Sequence, residues 1–341
     1  MTTRLRVLLA LALATLVAGG LALAGSDDDE PVAVPTTGAS ESSTTVATTT
    51  TTSVATTTTE APLVWPVLPG DGVPRAVVTP TGVVLAVQGV ATGGRYVVAS
   101  PCGAPVTVAG VPLTGATVVL DPGHGGDEPG AVGPAGTLEK DVNLAVAVEA
   151  QRQLEAAGAT VVLTRTGDYR ITLASRRAIA NALRPLLFVS IHHNAEPDGP
   201  HDGPGAETYF QIASAESKRA AGLVYESVRA AFSAHPITWM ADADAGAKYR
   251  LRTDGTDYYG ILHGVEVPAV LSEAAFISNP PEEALLATPE FQAVEARAIA
   301  DAVERFVFTD DPGSGFTEPY RRAQPAGPGG GSQGCENPPL G

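Results

Sequence analysis

Between residues 115 and 308 the chain alternates short apolar runs with longer segments whose apolar residues recur every three to four positions. The short runs are rich in β-branched residues and predict buried strands over 117–120, 160–164, 186–191, 207–212, 260–262 and 269–271. The periodic segments predict helices over 140–157, 172–182, 215–232 and 289–306. Alternation of this kind predicts an α/β fold over residues 116–308, with a central, mainly parallel sheet and helices on both faces.

Two segments at the start of the chain have no such pattern. Residues 1–25 place arginines before an apolar run that ends in Ala22-Leu23-Ala24, which predicts a secretory signal peptide. The alternative is an uncleaved N-terminal anchor, because the run is barely long enough to span a bilayer. Residues 26–62 are rich in Thr and Ser and contain no aromatic residue, so they predict a disordered tether. Either reading of the first segment makes the protein exported.

The segments that flank the α/β region differ from it and from each other. Residues 63–115 contain short β-branched runs separated by turn signals, which predict two to four strands in hairpins. This β-rich segment is either a small subdomain or an apron on the main sheet, and a separate binding module is the alternative. Residues 309–341 are rich in Pro and Gly and predict a loose tail, except where Cys335 ties it down.

Charge and cysteine content narrow the class of protein. The chain of 341 residues carries 21 Lys and Arg against 37 Asp and Glu, a formal charge of -16. An acidic chain makes a nucleic-acid partner a poor expectation. Cys102 and Cys335 are too few for a Cys-rich zinc module. In an exported chain they predict a disulfide between the β-rich segment and the tail, against unpaired thiols or an intermolecular bond.

Four side chains that can carry chemistry lie at or beyond the predicted carboxyl ends of strands, where α/β sheets place their ligands. His124 and Glu139 flank a Gly/Pro-rich loop, His192 ends a strand and Glu273 follows another. The loop has neither a dinucleotide fingerprint nor a Gly-Lys-Ser/Thr phosphate motif, so a metal suits it better than a phosphate. Zinc hydrolases use three His or carboxylate ligands and a further carboxylate that moves protons. Singly, each residue also fits a structural role, such as a strand-end histidine or a capping glutamate.

Neighbouring polar residues support weaker hypotheses. Because successive strand side chains alternate between faces, His192 and His193 are not expected to reach the same metal. Asn194 and Glu207 are candidates for orienting the histidine rings, and ordinary polar positions are the alternative. Three arginines fit either a groove for acidic peptides or salt bridges on helices: Arg165, Arg176 and Arg177.

Several ordered motifs then point to one family. They are LDPGHGGDEPGAVG, Glu139-Lys140, SIHHNA, GAETYF, DYYGIL and VPAVLSEAAFISNP followed by Glu282-Glu283. From about residue 117 to 308 the chain resembles the zinc-dependent N-acetylmuramoyl-L-alanine amidases of the amidase_3 type. The resemblance implies that His124, Glu139 and His192 hold Zn²⁺, that Glu273 is catalytic, and that the substrate is peptidoglycan or a muropeptide. It implies cleavage of the amide between the muramyl lactyl group and L-alanine by zinc-activated water.

The match has departures and leaves alternatives. His193 stands where the family often has a small residue, and His263 stands where Arg is common. These changes put substrate preference in question more than the ligands. The alternatives are a zinc peptidase acting within the stem peptide and a non-catalytic cell-wall binding protein. The export signal and tether suit an actinobacterial cell-wall enzyme. We expect a monomer that contacts a membrane only through an uncleaved N-terminal anchor.

Overall fold

The computed structural model describes residues 63–66, 71–317 and 331–341. The predicted signal peptide or anchor (1–25) and the predicted tether (26–62) lie outside the described residues. Among the described helices, none combines the length and the apolar character that a membrane crossing requires.

The β-rich segment forms an antiparallel sheet of five strands in the order β4-β3-β2-β1-β5, more strands than the two to four predicted. The strands are β1 (Ala76–Val78), β2 (Val84–Val90), β3 (Tyr96–Ala99), β4 (Pro105–Val108) and β5 (Val111–Leu113). Alternate residues serve two cores. Ala76 and Val84 pack towards the main sheet, whereas Val77 and Leu85 join a smaller cluster on the opposite side. The segment is therefore an apron that shares a hydrophobic core with the α/β region.

Eight further strands follow along the chain. They are β6 (Val118–Pro122), β7 (Val161–Leu163), β8 (Leu187–Asn194), β9 (Gly199–His201), β10 (Glu207–Phe210), β11 (Trp239–Ala241), β12 (Gly246–Lys248) and β13 (Ala269–Phe276). Six of them form the central sheet, in the order β12-β10-β13-β8-β6-β7. Strands β7, β6, β8 and β13 run parallel, and β10 and β12 run the opposite way. The prediction of a mainly parallel central sheet is confirmed.

Helices cover both faces of this sheet. They are α1 (Glu139–Ala156), α2 (Leu173–Leu183), α3 (Ala215–Phe232), α4 (Pro280–Leu286) and α5 (Pro289–Phe308). Helices α1, α3 and α5 bury their apolar sides on one face, while α2 and the apron cover the other. Side-chain caps at Thr172, Ser214 and Thr288 start three of the helices by accepting backbone hydrogen bonds, as their sequence position suggests.

Three details of the sequence prediction need correction. Residues 260–262 are not a strand: Ile261 and Leu262 are buried, but in a turn. A short apolar run does not distinguish a buried turn from a buried strand. Strands β8 and β13 also continue past their predicted ends at 191 and 271, because each pairs with the other beyond those residues. His192 therefore lies inside a strand instead of at its end, and Glu273 lies inside a strand instead of after it.

The end of the tail is docked on the apron. The structure contains the predicted disulfide between Cys102 and Cys335, whose Cα atoms are 5.6 Å apart. The backbone N–H of Cys102 donates to Oδ1 of Asn337 at 3.0 Å, and Leu340 packs on the smaller apron core. Residues 331–341 are thus ordered on the body of the protein by more than the disulfide.

Candidate metal centre

Three side chains that the sequence analysis selected meet at one edge of the central sheet. Nε2 of His124 lies 3.2 Å from Oε2 of Glu139, and Nδ1 of His192 lies 3.0 Å from Oε1 of the same carboxylate. One potential ligand atom from each residue lies within 4.8 Å of the other two. The carboxylate is buried, and both imidazoles are partly exposed. The residues therefore form a compact His–Glu–His donor set that is accessible from solvent.

Each member of the donor set comes from a different element. His124 follows β6, Glu139 is the first residue of α1, and His192 lies on β8, the hydrogen-bonded neighbour of β6. His124 has a φ of 60°, the left-handed region that residues with a Cβ rarely adopt. Nη2 of Arg176 donates to the carbonyl of His124 at 2.6 Å and holds this backbone conformation. A helix N-terminus also favours the ionised form of Glu139.

Two glycines leave the space that the donor set occupies. A Cβ on Gly123 would lie 2.2 Å from Nε2 of His192. A Cβ on Gly130 would lie 2.4 Å from Oε2 of Glu139 and 2.7 Å from Cδ2 of His124, and this glycine also has a positive φ of 73°. Any side chain at either position would displace a donor. The Gly-rich character of the loop is therefore tied to the donor set.

Strand register places the fourth residue beside the donor set. Glu273 on β13 pairs with His192 on β8 and with Glu207 on β10. Side chains of directly paired residues project from the same face of a sheet. Glu273 therefore lies in a row with a member of the donor set, and both line the same cavity.

The surroundings shift the pKa values of these carboxyl groups in opposite directions. Burial opposes ionisation of Glu139, but hydrogen bonds with His124 and His192 outweigh it and hold the pKa of Glu139 well below its usual value. Burial, followed by the charges of Glu139 and Glu207, raises the pKa of Glu273 well above its usual value. Burial also lowers the pKa of His192, against the attraction of Glu139, which favours the neutral imidazole that binds metals.

The cavity in front of these residues has a volume of about 510 Å³. One wall is apolar and includes Leu173, Ile261 and Leu271, and the rim near the donor set includes Asp127 and Glu128. A mostly apolar cleft with a few convergent polar groups is the usual form of a small-molecule or peptide site. The turn over 260–262, predicted as a strand, thus contributes Gly260 and Ile261 to the cavity lining.

The three arginines proposed for a groove or for salt bridges all bind backbone carbonyls or carboxylates of this protein. Arg165 donates to three backbone carbonyls around the donor set at 2.7, 2.8 and 2.9 Å. Arg176 forms a buried ion pair with Asp121 at 2.7 Å. Arg177 donates to the carbonyl of Gly260 at 2.6 Å. Arg176 both forms the predicted kind of salt bridge and lines the cavity, and the other two arginines support the backbone next to the cavity.

Asn194 and Glu207 do not orient the histidine rings. Nδ2 of Asn194 donates to Glu207 at 2.9 Å, and Nζ of Lys248 lies 2.7 Å from both Glu207 and Asp244. Glu207, Asp242 and Asp244 also form a second group of closely spaced carboxylates. The Lys248 ammonium lies among them, so this group is a salt-bridge cluster supplied with its own cation.

Sequence reasoning missed a residue that contacts the donor set directly. Nδ2 of Asn143 donates to Oε1 of Glu139 at 3.2 Å and to the carbonyl of Gly123 at 3.3 Å. The spacing offered a signal, because residues four apart share a helix face and Asn143 follows Glu139 by four. His193 points to the opposite face from His192, as strand alternation predicted, and its ring contacts Asn143 at 2.8 Å.

The fold and the site together define an α/β protein with a His–Glu–His donor set and a neighbouring carboxyl group at one edge of its sheet. Comparison with known proteins identifies the class. The sequence profile of the family described as Amidase_3, N-acetylmuramoyl-L-alanine amidase, matches residues 118–305, more than half of the chain. The chain belongs to this family.

Individual proteins are similar to this chain. The uncharacterized protein YqiI of Bacillus subtilis is 35% identical over 205 residues, which are 60% of this chain and 90% of the relative. N-acetylmuramoyl-L-alanine amidase AmiC of Neisseria meningitidis is 32% identical over 222 residues, 56% of this chain and 53% of AmiC. The solved structure of Cwp6 from Clostridium difficile matches with a TM-score of 0.50 and 33% identity, covering 57% of this chain and 29% of Cwp6. The chain thus spans about half of AmiC and less than a third of Cwp6.

Proposed function

We propose that this protein is an exported, zinc-dependent N-acetylmuramoyl-L-alanine amidase. It hydrolyses the amide between the lactyl group of N-acetylmuramic acid and L-alanine of the stem peptide. The observation that carries the proposal is the donor set of His124, Glu139 and His192, which shares one cavity edge with Glu273 in a chain of the amidase family. Membership of the family supports the reaction, and the donor set supports the metal.

The residues present fit a zinc ion. Two imidazoles and one carboxylate are a ligand combination that catalytic zinc sites use, with one position left for water or substrate. The space kept free by Gly123 and Gly130 around these donors supports the same assignment. Zinc, when bound, supplies Lewis-acid polarisation of a carbonyl and lowers the pKa of water to about 7.

Glu273 is the residue that we assign to proton transfer. Its carboxylate accepts a proton from the attacking water as the bond from oxygen to the lactyl carbonyl carbon forms. It then gives the proton to the alanine nitrogen as the carbon–nitrogen bond breaks, so the products are a lactyl carboxylate and a free amine. A raised pKa suits both steps, because a group that must accept and return a proton near neutral pH works best with a pKa close to the ambient pH.

The proposed domain organisation follows from the same assignment. The catalytic domain comprises residues 116–308, preceded by the β-rich segment 63–115 and followed by the tail 309–341. Residues 1–25 direct export, and residues 26–62 act as a tether that lets the catalytic domain reach its polymeric substrate. Cleavage of residues 1–25 is tested by N-terminal sequencing of the protein from a culture supernatant.

Mass spectrometry of muropeptides after incubation with zinc-loaded protein tests the reaction. We expect products that carry a free lactyl carboxylate and peptides that begin with a free L-alanine amine. Cleavage between residues of the stem peptide would identify a peptidase instead, and binding without cleavage would identify a cell-wall binding protein. Glu273→Gln is the matched control, because it removes the proton-transfer group and retains the three donors.

A further inference from the structure

We propose that His193 and Glu295 are positioning residues that hold the metal ligand Glu139 in place through Asn143. The inference deepens the proposed function and rests on it, since it assigns Glu139 as a zinc ligand. Neither His193 nor Glu295 faces the cavity, and neither contacts the substrate side of the donor set.

A continuous series of hydrogen bonds links α5 to the donor set. Oε2 of Glu295 lies 3.0 Å from Nε2 of His193, and Nδ1 of the same ring lies 2.8 Å from Oδ1 of Asn143. Nδ2 of Asn143 in turn donates to Oε1 of Glu139 at 3.2 Å. The series therefore crosses from α5 through β8 to α1, the helix whose first residue is Glu139.

The partners of Asn143 determine which atoms donate and which accept in these hydrogen bonds. Both neighbours of the Asn143 amide nitrogen, Oε1 of Glu139 and the carbonyl of Gly123, are acceptors. The amide must therefore turn its NH₂ towards them and its oxygen towards His193. An amide oxygen only accepts, so Nδ1 of His193 carries the hydrogen of this contact. Loss of the imidazole would leave the Asn143 oxygen without its donor and would free the amide to rotate away from Glu139.

His193 also holds Glu139 through its backbone. The N–H of His193 donates to Oε1 of Glu139 at 3.2 Å, and the N–H of Ala131 donates to Oε2 at 2.8 Å. Oε1 of Glu139 thus accepts hydrogen bonds from both the Asn143 amide and the His193 N–H, and the geometry of these two bonds depends on where residue 193 lies. Glu295 anchors the His193 ring on the face of β8 opposite to His192, and this contact fixes the position of residue 193.

The side chains of this hydrogen-bond series are shielded from water, so a lost contact is not replaced. The side chains of His193 and Glu295 are both 0% exposed, and Asn143 is also 0% exposed. Water cannot replace a lost partner at such positions, so one substitution perturbs every group in the series. An apolar pair in the same place would pack as well or better. The polar series is therefore explained by what it does at Glu139 and not by stability alone.

Equilibrium competition for zinc between the full-length protein and a chromogenic chelator tests the inference without measuring activity. His193→Phe and Asn143→Leu each remove the series while roughly keeping volume, and each should raise the zinc Kd about 10–100-fold, the usual effect of losing a partner of a metal ligand. The double variant should be no worse than the more affected single variant, because both break the same series. Glu295→Gln keeps an acceptor for Nε2–H of His193, so the zinc Kd of this variant should stay within about threefold of the wild-type value.

Ser217→Ala is the matched control. Ser217 is fully buried and makes two hydrogen bonds, to Gln211 and from the N–H of Ala269, away from the donor set. We expect this variant to lose thermal stability and to keep the wild-type zinc Kd. If His193→Phe does not fold, Glu295→Leu takes its place, because it removes the partner that anchors the His193 ring and leaves the direct contact of Asn143 with Glu139. Unchanged zinc affinity in the folded variants, with tight binding by the wild type, would overturn the inference. Absence of zinc binding by the wild type would instead overturn the proposed function.

Discussion

Loss of the bond between Cys102 and Cys335 should lower the free energy of unfolding by about 2–5 kcal/mol. The bond joins residues separated by 233 positions, and closing a loop of that length in the unfolded chain contributes roughly 5 kcal/mol in the chain-entropy model. That value is the ceiling. The reduced native protein can release residues 331–341 and regain about 1–2 kcal/mol of conformational entropy for each freed residue.

We expect the tail to detach on reduction. Its remaining attachments include hydrogen bonds from Cys102 to Asn337, from Thr81 to the carbonyl of Pro339, and from Arg170 to two tail carbonyls. Each contributes about 1 kcal/mol, which is less in total than the entropy cost of ordering this segment. Reduction should therefore increase amide hydrogen exchange in residues 331–341 while the catalytic domain stays folded.

Urea unfolding of the full-length protein, oxidised and reduced, measures the effect. The double variant Cys102→Ser/Cys335→Ser should resemble the reduced protein and should not respond to reductant. Activity should change little, because Arg170 keeps its ion pairs with Asp127 and Glu128 at the cavity rim, both at 2.9 Å. Identical unfolding midpoints and slopes with and without reductant would refute a stabilising role. Two freely alkylated thiols in the unreduced protein would refute the bond.

Four further predictions concern the donor set and its neighbour. Chelation should abolish hydrolysis and added zinc should restore it, and full activity of metal-free protein would rule out the metal. Glu273→Gln should lower turnover by about 10²–10⁴-fold and retain zinc. Near-normal turnover of this variant would assign proton transfer to another group. Because the folded-state pKa of Glu273 is raised, metal-free protein should lose stability as pH rises above about 4.5, and Glu273→Gln should reduce this loss in thermal melts. Gly123→Ala should abolish zinc binding, whereas Gly199→Ala, which has open space around its Cβ position, should not.

Much of the fold was readable from local patterns. Helix 215–232 was predicted at its observed bounds, since a polar cap at Ser214 and regular apolar spacing mark it. The segment 260–262 was misread because Ile261 and Leu262 are buried for tertiary reasons, as part of a turn beside the cavity. The short strands β9, β11 and β12 were missed because three residues carry too little periodicity to identify a strand.

The candidate site likewise contains features that the sequence predicts and features that it does not. Side-chain type and position at strand ends were enough to select His124, Glu139, His192 and Glu273 as a group. They were not enough to show that Glu273 pairs with His192, because register between distant strands depends on how the whole sheet packs. The contacts of Asn194 were misassigned for the same reason, since its partner Glu207 lies on a strand that β13 separates from β8.

The sequence by itself determined the α/β class, the selection of the three donor residues and the pairing of the two cysteines, because each depends on local periodicity or residue type. Export and the tether stay predictions from composition. Tertiary structure alone decided that the β-rich segment is an apron, that the tail docks on it, and that Glu295 reaches His193 from 102 positions away. The physical reason is that a local pattern specifies which face of an element is buried but not which distant residue it meets there. That choice is made by packing, which brings α5 against α1 and β8 and so connects a buried glutamate to Glu139 of the donor set.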